Sequence, residues 1–284
     1  MLHYGSGRLA PVDSGGSGVF FMHLVVLAIV QGVTEFLPIS SSGHLILVPA
    51  LTDWPDQGRM IDVAVHVGSL AAVMVYCWRP LGRMAHGLVA ALRGRGSAGL
   101  RLLLQTVLAT LPVAAAGFAV ARLGGDLLRG IEVVAWATLS FGILLWLVDR
   151  SAMTVRQIDH IGYGGALFIG LAQVLALIPG TSRAGITMTA GRILGMERAA
   201  AAEFSLLMAI PAILGAGALE GYALARAGNW ALTADALIAA GLAFVSALVA
   251  VVVMMAWLRR ASFMPFAVYR LLLGGGLLVW IYWP

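Results

Sequence analysis

Apolar residues run along this chain in long blocks separated by short polar connections. Six blocks are long enough to cross a bilayer: about 61–79, 101–121, 131–149, 200–222, 232–257 and 266–283. A transmembrane helix needs about 20 predominantly apolar residues. Two further blocks, 23–51 and 162–193, are each broken by a proline followed by a cluster of hydroxyl residues and glycines. Backbone that leaves the helical path at membrane depth is tolerated only where protein or a water-filled cavity satisfies its polar groups. Both broken blocks are therefore expected to be re-entrant hairpins.

In chain order the elements read hairpin, three spans, hairpin, three spans. The pattern predicts an all-α polytopic membrane protein of two repeats, residues 22–150 and 151–284, each a re-entrant helical hairpin plus three transmembrane helices. Aligned on their prolines, Pro38-Ile39-Ser40-Ser41-Ser42-Gly43 faces Pro179-Gly180-Thr181-Ser182-Arg183-Ala184, an offset of 179 − 38 = 141 residues. With an odd number of full spans per unit, the second repeat is expected to be inverted relative to the first.

Composition agrees with a membrane protein: 61% of the residues are hydrophobic and 11% charged, against about 25% charged in a soluble domain. The 18 basic residues are all arginine and sit mostly between the apolar blocks, so the net charge of +5 reads as topology. It does not read as a nucleic-acid surface, which would gather the basic residues on one face among aromatic side chains. Arg79, Arg83, Arg93, Arg95 and Arg101 mark the connection after the first span as cytoplasmic. Following the chain from there, the first hairpin enters from outside and the second from inside, so that their tips can meet near the midplane. The single cysteine, Cys77, allows no intramolecular disulfide and gives no metal-ligand spacing. Residues 1–21 begin with a Gly/Ser-rich stretch and are read as a flexible leader, with Met22 a candidate start.

The chemistry is concentrated at the two breaks. In the first, Gln31 and Glu35 are four residues apart and share one helix face. A carboxylate at membrane depth is a functional-site hypothesis by default. Ser40, Ser41, Ser42, Gly43 and His44 follow, supplying hydroxyls and an imidazole suited to nucleophile and proton acceptor. In the second, Arg183 is the only charge between Gly162 and Gly191 and stands among Gly180, Thr181, Ser182 and Gly185. A guanidinium fork matches phosphate oxygens, and neighbouring glycines let backbone N–H groups approach an anion. The alternative is an ion pair in which Arg183 neutralises Glu35, and the two roles can alternate as substrate enters.

Gln31-x-x-x-Glu35, Pro38-x-Ser-Ser-x-Gly-His44 and Pro179-Gly-x-Ser182-Arg183-x-Gly185 together resemble the undecaprenyl-diphosphate phosphatase family, also called the bacitracin-resistance protein family. The resemblance extends through Ile61–Gly68, Ala201–Ser205 and Phe266–Arg270, so it covers the chain from Met22 onward. It implies removal of the terminal phosphate of undecaprenyl diphosphate at a pocket open to the outer face of the bacterial inner membrane. The product is the monophosphate carrier of peptidoglycan assembly. The family accepts Glu or Gln at the first acidic position; here it is Gln31, so Glu35 is the only carboxylate of that pair.

On this reading Glu35, Ser41, His44 and Arg183 are the candidate catalytic residues. Ser41 is the expected nucleophile, with His44 as general base or as proton donor to the leaving group and Glu35 orienting His44; water activated by His44 and Glu35, or His44 itself as nucleophile, are the alternatives. Arg183 with Ser182 and Thr181 would hold the terminal phosphate, and Gln31, Ser40, Ser42, Gly43, Gly180 and Gly185 complete the substrate-binding set. Glu35 is also the expected metal ligand, for a divalent cation such as Mg2+ or Ca2+, with Gln31 adding a neutral oxygen. His66, Glu203 and Asp62 are weaker candidates, and Tyr269 and Arg270 are read as structural. The bilayer, the lipid substrate and a second copy of the chain are the expected partners; nucleic acid is not.

Two other classes compete. Broken segments meeting in mid-membrane also mark secondary transporters, which makes a carrier or flippase for the same lipid the alternative function. The acid-phosphatase-like membrane enzymes also use Ser-Gly-His and Ser-Arg pieces, but their signature starts with a lysine, and this chain has none.

Overall fold

The computed structural model describes residues 17–41, 43–44, 59–123, 130–226 and 234–283. Its helices are α1 (Ser17–Phe36), α2 (Arg59–Tyr76), α3 (Trp78–Leu92), α4 (Ala98–Leu123), α5 (Ile131–Ser151), α6 (Tyr163–Val174), α7 (Arg183–Ile193), α8 (Arg198–Arg226), α9 (Ala234–Leu258) and α10 (Met264–Tyr282). No strand occurs among the described residues. Among the described residues five helices (α4, α5, α8, α9 and α10) are long and apolar enough to cross a membrane, and a sixth span results if α2 and α3 are counted as one bent element. The protein is an all-helical, multi-pass membrane protein.

The bend between α2 and α3 is 78°, and helix α3 was not anticipated in a stretch read as a connection. Pro80 explains the break. It has no N–H to donate to the Tyr76 carbonyl four residues back, and its ring would clash with that carbonyl, yet it fits the first turn of a new helix. Helix α1 likewise begins inside the stretch read as a leader, at Ser17.

Helices α1, α2 and α9 pack on a seam of small residues. Ala28, Ala72, Ala239, Ala243 and Ala247 are fully buried. A Cβ on Gly68 would lie 2.1 Å from the Ala240 carbonyl oxygen, so only glycine permits that approach. Small residues are how membrane helices reach van der Waals contact without a hydrophobic driving force between them. The seam also sets depth: Gly32 of α1 abuts Ser246, near the middle of α9. Helix α1 ends one turn past that contact, at Phe36.

The second broken block enters from the other end. Helix α6 gives way to a short 3-10 turn, Leu175–Leu177, and after the break α7 runs from Arg183 to Ile193, with Arg192 in its last turn. There Arg192 is fully buried, with its Nε 3.1 Å from Asp149 Oδ1 at the far end of α5. Asp149 also receives Arg198 Nε at 2.8 Å and the Phe263 N–H at 3.0 Å, so the starts of α8 and α10 are tied to α5 at one point. With that end anchored, the start of α7 is left beside the break in the first block.

Candidate active site

The two breaks share a backbone device. Ser40 and Ser182 both hold left-handed conformations, with φ of 76° and 69°, which cost a non-glycine residue on the order of 1–3 kcal/mol. Each also caps the helical residues that follow: Ser40 Oγ accepts the Gly43 N–H at 3.3 Å, and Ser182 Oγ accepts the Gly185 N–H at 3.1 Å. These pairs correspond at an offset of 182 − 40 = 142 residues, which also matches buried Gln31 with buried Gln173. Alignment on the prolines, at 141, is one residue out, because the second tip carries an extra residue. Gly180 takes up that residue at φ 92°, where a Cβ would meet the Val134 carbonyl oxygen at 2.5 Å. Ser41 of the first tip therefore matches Arg183 of the second.

Both of these side chains converge on Glu35. Its Oε2 accepts the Ser41 hydroxyl at 2.8 Å and the Gln31 amide N–H at 2.8 Å. Its Oε1 faces Arg183 Nη2 at 3.3 Å, with the carboxylate 8% and the guanidinium 16% exposed. The helical spacing of Gln31 and Glu35 places the first contact, and the left-handed turn at Ser40 brings Ser41 back over the end of α1. The Arg183 guanidinium also lies over the Phe36 ring at 5.9 Å.

His44 points elsewhere. Its Nδ1 is 2.7 Å from the Ser40 carbonyl oxygen. A carbonyl only accepts, so Nδ1 carries a proton, and Nε2 of the neutral ring accepts from the Tyr269 hydroxyl. The two rings stack with centroids 5.7 Å apart and planes 11° from parallel. No hydrogen bond joins His44 to Glu35 or Ser41, so the arrangement in which Glu35 orients His44 is not the one observed.

Arg270, read from the sequence as structural, links the two tips. It is fully buried, and its guanidinium donates to the Pro38 carbonyl at 3.4 Å and to the Gly180 carbonyl at 3.0 Å. It also reaches the Thr138 carbonyl at 3.2 Å and the Ala137 carbonyl at 3.5 Å on α5. No carboxylate pairs with it among the described residues. A cationic fork thus spans both breaks and the helix behind them. An arginine inside the last apolar block was the available signal, but nothing in the sequence says which carbonyls it reaches.

Of the other expected residues, Thr181 is fully buried, and its hydroxyl makes no hydrogen bond among the described residues. Ser42 lies outside the described residues. His66 lies near Glu35, and its Nδ1 donates to the Asp62 carbonyl at 2.7 Å. Glu203 lies apart, in a cleft with Arg83 and Arg259.

A divalent cation can be tested against this donor set. Among the described residues Glu35 is the one carboxylate at the junction, and Gln31 Oε1 beside it is buried and makes no hydrogen bond. No group of three His, Cys, Asp or Glu side chains clusters among the described residues. Hard cations such as Mg2+ are commonly held by one or two carboxylates plus substrate phosphates and water. Glu35 and Gln31 fit a cation that arrives with a phosphorylated substrate.

Residues 24–276 match the family described as bacitracin resistance protein BacA. The chain belongs to the BacA family. Among its BacA relatives, an undecaprenyl-diphosphatase 1 of Rhodospirillum rubrum is 49% identical over 271 residues, covering 93% of this chain and 96% of that protein. An undecaprenyl-diphosphatase of Roseobacter denitrificans is 47% identical over 262 residues, covering 92% of this chain and 98% of that protein. A third, from Ruegeria pomeroyi, is 49% identical over 254 residues, covering 89% and 95%. The BacA match spans both broken blocks, so Glu35, Ser41 and Arg183 all lie within it.

Proposed function

We propose that this chain is an integral membrane hydrolase that converts undecaprenyl diphosphate into undecaprenyl phosphate and inorganic phosphate, and so contributes to bacitracin resistance. The observation that carries the reading is the Glu35 carboxylate, held at once by Ser41 of the first tip and Arg183 of the second. A hydroxyl on a carboxylate beside a guanidinium is a nucleophile, a base and a phosphate clamp in one place. The relatives' shared name favours hydrolysis over transport alone. A carrier of the same lipid would have no use for a proton acceptor on Ser41.

In the proposed reaction Arg183 moves from Glu35 to the non-bridging oxygens of the terminal phosphate. Ser41 Oγ attacks that phosphorus while its proton passes to Glu35. The phosphoanhydride bond breaks, and the lipid monophosphate leaves with the electron pair. Water then cleaves the phosphoserine, releasing inorganic phosphate and restoring the Ser41 hydroxyl with the proton held by Glu35. What supports Glu35 as the base is its 2.8 Å bond to Ser41. His44, with Nε2 facing the Tyr269 hydroxyl, is placed to receive or return a proton at the second step. The Thr181 hydroxyl is the further donor proposed for the phosphate. A divalent cation bound with the substrate at Glu35 and Gln31 would neutralise phosphate charge.

We further propose that residues 22–150 and 151–284 are inverted repeats, supported by the matched tips at Ser40 and Ser182. We place the protein in the bacterial inner membrane with the site open to the outer face, as the arginine distribution supports.

Removing the guanidinium tests the clamp. Arg183→Ala is expected to lower turnover of the purified protein on the diphosphate lipid by on the order of 10³-fold, the scale of an arginine that stabilises a phosphoryl transition state. Phosphate release near the wild-type rate would remove Arg183 from the phosphate site.

A further inference from the structure

At the bend between α2 and α3 the protein has a second concentration of positive charge that the reaction does not use. A cleft of about 520 Å³ opens there, lined by Arg79, Arg83 and Arg259 together with Tyr76, Trp78 and Glu203. The three arginines come from three places in the chain: the start of α3, its second turn, and the residue just past the end of α9. None forms an ion pair with a carboxylate among the described residues. Glu203 is the one acid lining the cleft, close enough to feel Arg83 and Arg259 but not paired with either. Three cations line the cleft against Glu203, with Asp159 the next acid near it, so the cleft is net positive.

Its position adds a second constraint. Helix α3 starts at Trp78, so its free N–H groups face this end. The Trp78 ring is 65% exposed and carries the Arg79 guanidinium 5.3 Å from its centroid. Trp257, at the same end of α9, is also exposed. Exposed tryptophans beside arginines mark the headgroup level of a bilayer. The cleft lies at the end of the bundle that holds the Asp149 ties, whereas Gly32 lies against Ser246, near the middle of α9.

We propose that this cleft is a second anion site, which takes the phosphate headgroup of an anionic phospholipid from the leaflet at that end of the bundle. Basic pockets between membrane helices recognise such headgroups, and each arginine near the surface is worth about fivefold in affinity. Arg83 and Arg259 would grip the phosphate, with Arg79 held at headgroup level by Trp78.

The test uses purified wild type, the Arg83→Gln/Arg259→Gln double variant and Glu203→Gln. Each is placed in phosphatidylcholine nanodiscs with and without phosphatidylglycerol, and retained phosphatidylglycerol is counted by native mass spectrometry. Wild type is expected to retain the anionic lipid, and the double variant to bind it roughly 25-fold more weakly. Glu203→Gln, which removes the opposing charge, is expected to bind it more tightly. Phosphate release at the Glu35–Arg183 site is expected to persist in the double variant, which shows that it is folded. Equal retention by wild type and the double variant, or weaker binding by Glu203→Gln, would overturn the proposal. Arginine-dependent stabilisation by inorganic phosphate alone, in neutral-lipid discs, would assign the cleft to free phosphate and overturn the lipid reading.

Discussion

Glu35→Gln is expected to lower turnover on the diphosphate lipid by about 10⁴-fold, the upper end of what a positioned general base contributes, while leaving KM close to wild type. The amide keeps the shape of the carboxylate and an oxygen that can accept the Ser41 hydroxyl, but at neutral pH it cannot take the proton. Arg183 loses its ion-pair partner and stays available to phosphate, so substrate binding is retained. Loss in kcat without loss in KM identifies an interaction needed only in the transition state. Steady-state phosphate release in detergent measures both. A variant with wild-type kcat would reduce Glu35 to a counter-ion for Arg183.

Arg270→Met is expected to destabilise the protein by several kcal/mol, at about 1–3 kcal/mol for each buried carbonyl left without its donor, and to abolish turnover. The methionine leaves the Pro38 and Gly180 carbonyls without the donor that joins them, and an unmade buried hydrogen bond costs about 1–3 kcal/mol. Those carbonyls belong to the two breaks themselves. The substitution therefore loosens the distance between Ser41 and Arg183, leaving the Glu35 carboxylate to bridge them without the backbone tie behind it. Arg270→Lys retains the charge but has no planar fork to reach four carbonyls at once, and is expected to recover stability more than turnover. Thermal unfolding and phosphate release on the same preparations separate these effects. Wild-type stability in Arg270→Met would show that the tips are held together without Arg270.

How much of this was legible in the sequence follows from what sequence patterns encode. Hydropathy gave the spanning blocks, because a helix in lipid must present about 20 apolar residues whatever it packs against. Breaks announced themselves through Pro38 and Pro179 among hydroxyls and glycines, since such residues are costly at membrane depth without a reason. Gln31 and Glu35 could be placed on one face because helical periodicity fixes that relation locally. The direction of His44 could not be read, because it depends on a tyrosine 225 residues away. What Arg270 ties together was unreadable for the same reason: its partners are backbone carbonyls, which leave no trace in side-chain identity. The one-residue shift between the tips escaped because Gly180 adds a residue through a positive φ that only a backbone reveals. The helix after Cys77 was missed because a run of arginines reads as a connection whether or not it is helical.

Phosphate release by purified Ser41→Ala, beside wild type on undecaprenyl diphosphate, tests the central claim most directly. The account predicts steady release of one phosphate per lipid by wild type, and none detectable from Ser41→Ala although it still binds the lipid. Wild-type protein that binds the lipid without releasing phosphate, or a Ser41→Ala variant that turns over at the wild-type rate, would contradict it.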